Sequence, residues 1–259
     1  FLYQSGNKKN SLKVIDNSLK DYPGNLILNQ LKEDINSQNS KFSNKFDCKN
    51  LSHIVAEIFY IVSNALSGQS LYSLSNFYLN LSKYLNPEFT SFEALYAENF
   101  YMTNNYEKAK KIYKRIKDNG KFYHWHASKQ ISNILIIEKK EDLAQTLLKK
   151  AFDDIDEPEI YQIFDYAEFL KNSERYDKSV DYYSKVLSLI NKEHYLYPEA
   201  SDGRGISYER LGEWKKAEED LLNSLSVSPD QAYVINYLAY SWIEQGINIE
   251  KSLKMLRRA

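Results

Sequence analysis

A chain of 259 residues with 34 basic and 35 acidic side chains carries a formal charge of −1, so it lacks the excess of Lys and Arg that marks a nucleic-acid binder, and polyanions are not expected partners. Only 8 Gly and 5 Pro favour long helices over loop-rich sheets, and 43% apolar with 14% aromatic residues gives a core to fill and argues against a wholly disordered chain. The single cysteine, Cys48, excludes an internal disulfide framework and leaves the redox compartment, and with it the localisation, open.

In chain order, residues 1–36 read as the end of a repeat followed by one helix. Ser11, Ile15, Ser18 and Pro23 set out a small, bulky, small, stop spacing, and Leu26 to Ile35 continues as helix. The chain opens on Phe in mid-repeat, which makes residues 1–259 an expected piece of a longer protein. Residues 37–50 are rich in Asn, Ser and Lys without helical periodicity, and are expected to form the one long connection. The longest apolar-leaning run, Ile54 to Leu66, is broken by Glu57, Ser63 and Asn64, so no membrane-spanning helix is expected.

From Leu51 onward the chain repeats. The small residues Ser63, Ala97, Ser132, Ala167, Gly205 and Ala239 are 34, 35, 35, 38 and 34 positions apart. Three positions after each stands a large residue: Leu66, Phe100, Leu135, Leu170, Tyr208 and Trp242. A second small or modest residue follows at Ser75, Ala109, Ala144, Ser179, Ala217 and Ser252, and four places later Leu79, Tyr113, Leu148, Tyr183, Leu221 and Leu256. Two helices can approach closely where small residues face each other, with the large ones filling the space beside them. Gly212 is expected to supply a hairpin turn, and Gly68 the turn of the first unit.

The stretch from Pro198 to Pro229 carries this pattern in its fullest form and resembles a tetratricopeptide repeat. The resemblance implies an all-α fold, a right-handed α-solenoid of helix-turn-helix hairpins. Its expected organisation is a partial unit plus helix at 1–36, a linker at 37–50, and an array at 51–259 with units near 51–88, 89–124, 125–159, 160–197, 198–231 and 232–259, the last incomplete. Residues 204–214, 217–220 and 229–242 also resemble a set of alphaproteobacterial tetratricopeptide proteins. That likeness implies an interaction scaffold, often in an exported or envelope setting, with a protein or peptide partner and no activity.

Few residues invite chemistry. His124 and His126 are two positions apart, a spacing that does not place both rings on one helical face, so no metal site is expected. Gly203-Arg-Gly205 lacks the third glycine and preceding strand of a nucleotide loop, and the acidic run 153–159 lacks the spacing of a calcium loop. No nucleophile and base can be paired by spacing. The expectation is therefore no enzyme and no cofactor.

Binding is where the repeat points. In stacked hairpins the first helices line one side, and the positions six and three before and one after each small anchor face that groove. They are Ser91, Ala94 and Glu98; His126, Lys129 and Asn133; Tyr161, Phe164 and Glu168; Glu199, Asp202 and Ile206; Tyr233, Asn236 and Tyr240. Lys129 and Asn133 match part of the carboxylate clamp of some tetratricopeptide domains. Asp165, Glu199 and Gly203 stand where that clamp needs Asn and cations, so it is not expected to form. The leading expectation is a scaffold that holds a peptide or helix in this groove. The alternative is a structural subunit of an envelope assembly, docking by its other face or by its repeat ends, through which it could also self-associate. One hairpin departs from the rest: Arg204 and Asp220 occupy positions that are apolar in the other units, and are expected to pair across its two helices.

Overall fold

The computed structural model describes residues 2–3, 5–37 and 45–258. Among these there is no strand. The helices divide between two compact units, Phe1–Ile155 and Asp156–Ala259. The first holds α1 (Lys8–Asp21), α2 (Leu26–Asn36), α3 (Leu51–Gly68), α4 (Tyr72–Leu85), α5 (Ser91–Met102), α6 (Tyr106–Ile116), α7 (Lys121–Ile137) and α8 (Glu141–Asp153). The second holds α9 (Ile160–Asn172), α10 (Tyr176–Leu189), α11 (Tyr197–Arg210), α12 (Trp214–Val227), α13 (Ala232–Glu244) and α14 (Ile249–Arg258). From α3 onward the helices pair two by two, α3 with α4 through α13 with α14, giving three hairpins in each unit and six in all.

The anchors explain the pairing. Ser63, Ala97, Ser132, Ala167, Gly205 and Ala239 are buried, as are their partners from Ser75 to Ser252. In two hairpins the second-helix serine donates its hydroxyl to the first anchor's carbonyl, Ser75 to Ser63 at 2.8 Å and Ser179 to Ala167 at 3.1 Å. In the α11–α12 hairpin a Cβ on Gly205 would lie 3.1 Å from the Ala217 carbonyl. Small residues thus bring the two backbones within reach of each other, and Leu79, Tyr113, Leu148, Tyr183 and Leu221 close the space alongside.

Every hairpin turns in the same way. Seven positions after each anchor stands a residue with positive φ: Ser70 at 61°, Asn104 at 59°, Lys139 at 58°, Glu174 at 58°, Gly212 at 79° and Gly246 at 70°. The next residue's N–H then reaches back to the carbonyl of the large residue at the third position, as in Asn105 to Phe100 and Glu213 to Tyr208, both 2.8 Å. This left-handed turn satisfies carbonyls that the helix end would leave without partners. Gly212 holds the turn position, but Gly68 does not: it is the last residue of α3, and Ser70 turns that hairpin.

Two features of the first unit were not expected. By length and composition α3 is apolar enough to cross a membrane, with 18 residues and a mean hydropathy of 1.2, so the absence of such a segment does not hold on those criteria. In the structure it is the first helix of a hairpin, tied to its neighbours by buried Asn99 on α5. The Asn99 amide donates to Ser75 Oγ and Asn76 Oδ1, each at 2.8 Å, and accepts from Ser67 Oγ at 2.7 Å. The second feature is that α2 lies against α7, far along the chain. Gln30 Oε1 accepts the Phe122 N–H at 3.1 Å, its amide donates to Asp34 at 2.8 Å, and Lys121 pairs with Glu33 at 2.8 Å.

Candidate functional site

In the first unit, His126, Lys129 and Asn133 lie along α7. Helix α7 starts at Lys121, so both His124 and His126 are helical. The His126 ring meets Tyr113 edge-on at 5.8 Å, and its Nε2 is buried without a hydrogen-bond partner. Burial, reinforced by Lys129, lowers its pKa to about 4. The ring is thus neutral at physiological pH and packs on Tyr113, while the residue as a whole keeps intermediate exposure. Glu98 on α5 lies within the field of Lys129; burial raises its carboxyl and Lys129 partly offsets the rise.

In the second unit, the first helices α9, α11 and α13 carry the remaining residues. On α9 Tyr161 is half-buried, its hydroxyl pushed up by desolvation and by Glu159 and Asp165. Phe164 meets Tyr183 edge-on at 5.9 Å. Glu168 accepts a hydrogen bond from the Tyr183 hydroxyl and pairs with Lys171 at 2.7 Å, so it is already engaged. Tyr183 reaches that carboxylate because residue 203 has no side chain: a Cβ there would lie 2.4 Å from the ring.

Asp202, one residue earlier on α11, is the most perturbed carboxyl of this face. Burial raises it to about 7; Lys171 opposes the rise, while Glu168 and Glu199 add to it. Glu199 and the aromatic residues beside it are solvent-exposed. Tyr195 is 53% exposed, Tyr233 63% and Tyr240 60%, and Asn236 is exposed with them. Tyr195, Pro198, Glu199, Gln231 and Tyr233 surround an open cleft of about 370 Å³. Tyr195 stands in the long connection before α11 and stacks on His194 at 4.7 Å. Repeat spacing could not single it out, because it lies in the insertion that breaks the period.

The face therefore combines exposed tyrosines with the exposed carboxylate of Glu199 and the half-buried carboxyls of Asp165 and Asp202, the last held toward its neutral form by burial. It offers contact area and negative charge. Nothing in it pairs a nucleophile with a base.

On the opposite side of α11, Arg204 lies across Asp220 of α12. Its Nε donates to one carboxylate oxygen at 2.7 Å and Nη2 to the other at 2.8 Å, while Nη1 donates to Ser184 of α10 at 3.1 Å. The Asp220 side chain is 6% exposed, so this two-pronged contact satisfies a charge that water scarcely reaches. The bonded carboxylate in turn raises the guanidinium pKa.

No protein-family model matches the chain, and no curated protein does. Solved structures do. A structure of the APC/C hetero-tetramer Cut9–Hcn1 matches 99% of this chain with a TM-score of 0.60 at 15% identity, and this chain spans 44% of that one. Weaker likenesses include YrrB, described as a TPR protein with an unusual peptide-binding site, at a TM-score of 0.45 over 68% of this chain and 88% of that one with 15% identity. PilF of Pseudomonas aeruginosa matches at 0.43 over 80% of this chain and 77% of its own, with 13% identity. At these identities the likeness concerns the fold, and the fold, six hairpins with buried small anchors and a shared left-handed turn, is the all-α helical-repeat solenoid of tetratricopeptide proteins.

Proposed function

We propose that the chain is a non-catalytic scaffold that binds an extended peptide or a helix of a protein partner on the first-helix face of its second unit. The observation that carries this reading is a set of tyrosines left largely open: Tyr195 and Tyr233 with Glu199 at the cleft, and Tyr240 two turns further along α13. Tyrosine supplies broad, stiff contact area at little entropic cost and is enriched where partners anchor. A large aromatic left in water has no role in the core it does not join.

Affinity capture with the full chain tests the reading. Tyr233→Ala with Tyr240→Ala is expected to reduce recovery of the partner by about tenfold or more, as for truncated interface anchors. Both positions are exposed, so the fold should not change. Equal recovery by the wild type and the double variant overturns the proposal.

A further inference from the structure

The second-helix side of the first unit holds a feature of opposite sign. A cleft of about 280 Å³ opens between α4, α5 and α6, and four cations line it: Lys83, Lys108, Lys111 and Arg115. No Asp or Glu lines it. Arg115 is held from outside by Glu93, at 2.7 and 3.2 Å. Among the described residues the lysines make no ion pair; Lys83 instead sits over the Phe92 ring at 5.7 Å and Lys108 over Phe100 at 5.2 Å. Concentrating three ammonium groups without carboxylates raises a local positive potential that the near-neutral net charge does not reveal.

We propose that this cleft docks an acidic segment of a protein partner, whose carboxylates seat on Lys83, Lys108 and Lys111. The proposal is independent of the tyrosine face and stands on different residues. Charge complementarity selects an anion, and three details select a peptide over a nucleic acid. Phe92 is buried, and Phe100 is only partly exposed with Lys108 over it, so neither ring is the open stacking platform of single-strand sites. The one guanidinium is occupied by Glu93, which removes the two-pronged fork suited to phosphate. Lys108 and Lys111 are about 4.5 Å apart along the axis of α6. Their flexible four-carbon stems span the difference from the roughly 6.6 Å between same-side residues of an extended chain, so alternate acidic residues can meet successive lysines.

The test uses the full chain and a fluorescent peptide of alternating Glu and Ser, followed by anisotropy at low salt. Binding is expected, weakening with added salt, and absent for the Gln-Ser analogue. Lys108→Gln with Lys111→Gln is expected to weaken it about tenfold, and Lys108→Glu with Lys111→Glu to abolish it, each with unchanged helical circular dichroism. No binding of the Glu-Ser peptide, or affinity indifferent to these substitutions, overturns the proposal. So does a single-stranded oligonucleotide of equal charge that binds more tightly than the peptide at the same lysines.

Discussion

Asp202 and His126 are buried titrating groups whose effects on stability run in opposite directions. Asp202 is raised from an ordinary 3.8 to about 7, chiefly by burial, so between those values the folded chain holds a proton that the unfolded chain has released. Stability from Asp202 is therefore complete below about pH 4 and lost as pH rises through 7. His126 is lowered from 6.5 to about 4, so its contribution is complete above pH 6.5 and lost as pH falls toward 4. Asp202→Asn should stabilise the second unit by about 1–3 kcal/mol at pH 8, a range discounted for partial solvation, and change little near pH 4. Urea melts at the two pH values check it; a gain of equal size at both contradicts the assignment. The Arg204–Asp220 pair makes a different prediction. Arg204→Ala leaves Asp220 buried without its cation and should cost about 3 kcal/mol, whereas Arg204→Leu with Asp220→Met removes both charges and should cost less. A double variant that is the less stable of the two would show the pair to be net stabilising beyond its packing. The two sites also differ in how they mark the sequence. Arg204 and Asp220 are lone charges where the other hairpins are apolar, which any alignment of the repeats exposes. Asp202 leaves no such mark, since its environment depends on Tyr183 leaning across Gly203.

At the scale of one hairpin, the turn is the element that the sequence describes least faithfully. The small anchors are visible because a backbone contact tolerates few residue types, and the large partners because they fill a fixed space. The turn requires only positive φ, and its exposure to solvent lets many side chains occupy it, even where one accepts a local hydrogen bond, as Asn104 does from Tyr106. Hence Ser70, Asn104, Lys139 and Glu174 occupy it alongside Gly212 and Gly246. A search for glycine finds two of the six turns and is misled by Gly68, which is helical. The four non-glycine turns each carry a left-handed conformation that costs an L-residue about 1 kcal/mol. Lys139→Gly should therefore stabilise the α7–α8 hairpin by about 0.5 kcal/mol once the added freedom of the unfolded chain is subtracted. Gly212→Ala should destabilise α11–α12 by about 1 kcal/mol through φ alone, because nothing lies within 4 Å of the position a Cβ would take. Thermal melts of the two variants should shift in opposite directions. A loss in both would mean that Lys139 makes a contact whose removal outweighs its backbone strain.

Across the whole molecule, near-zero net charge conceals two local imbalances, a carboxylate-rich face in the second unit and a lysine-lined cleft in the first. Composition cannot report them, because it sums over surfaces that the fold separates. The same is true of α2. Repeat arrays bury their faces against neighbours in sequence, so a period predicts contacts about one repeat apart. The α2–α7 contact joins residues 92 positions apart and follows from no period. It depends on Gly120. At φ 139° and ψ 170° that residue occupies backbone space almost reserved for glycine, and a Cβ would sit 2.2 Å from the Gln30 side chain. Gln30 is thus pressed onto bare backbone at the start of α7, where it accepts the Phe122 N–H that the first helical turn leaves free. Gly120→Ala should cost about 2–4 kcal/mol, from strain and overlap together. The loss should fall on α1 and α2, which the residue 37–50 segment joins to α3 and which have few other contacts with the first unit. Hydrogen exchange gives the readout: amides of α1 and α2 should exchange faster in the variant, while those of α9 to α12 keep their protection. If α1 and α2 stay as protected as in the wild type, Gln30 is not what holds them, and the apolar contact of Leu26 with the α5–α7 core must carry the docking instead.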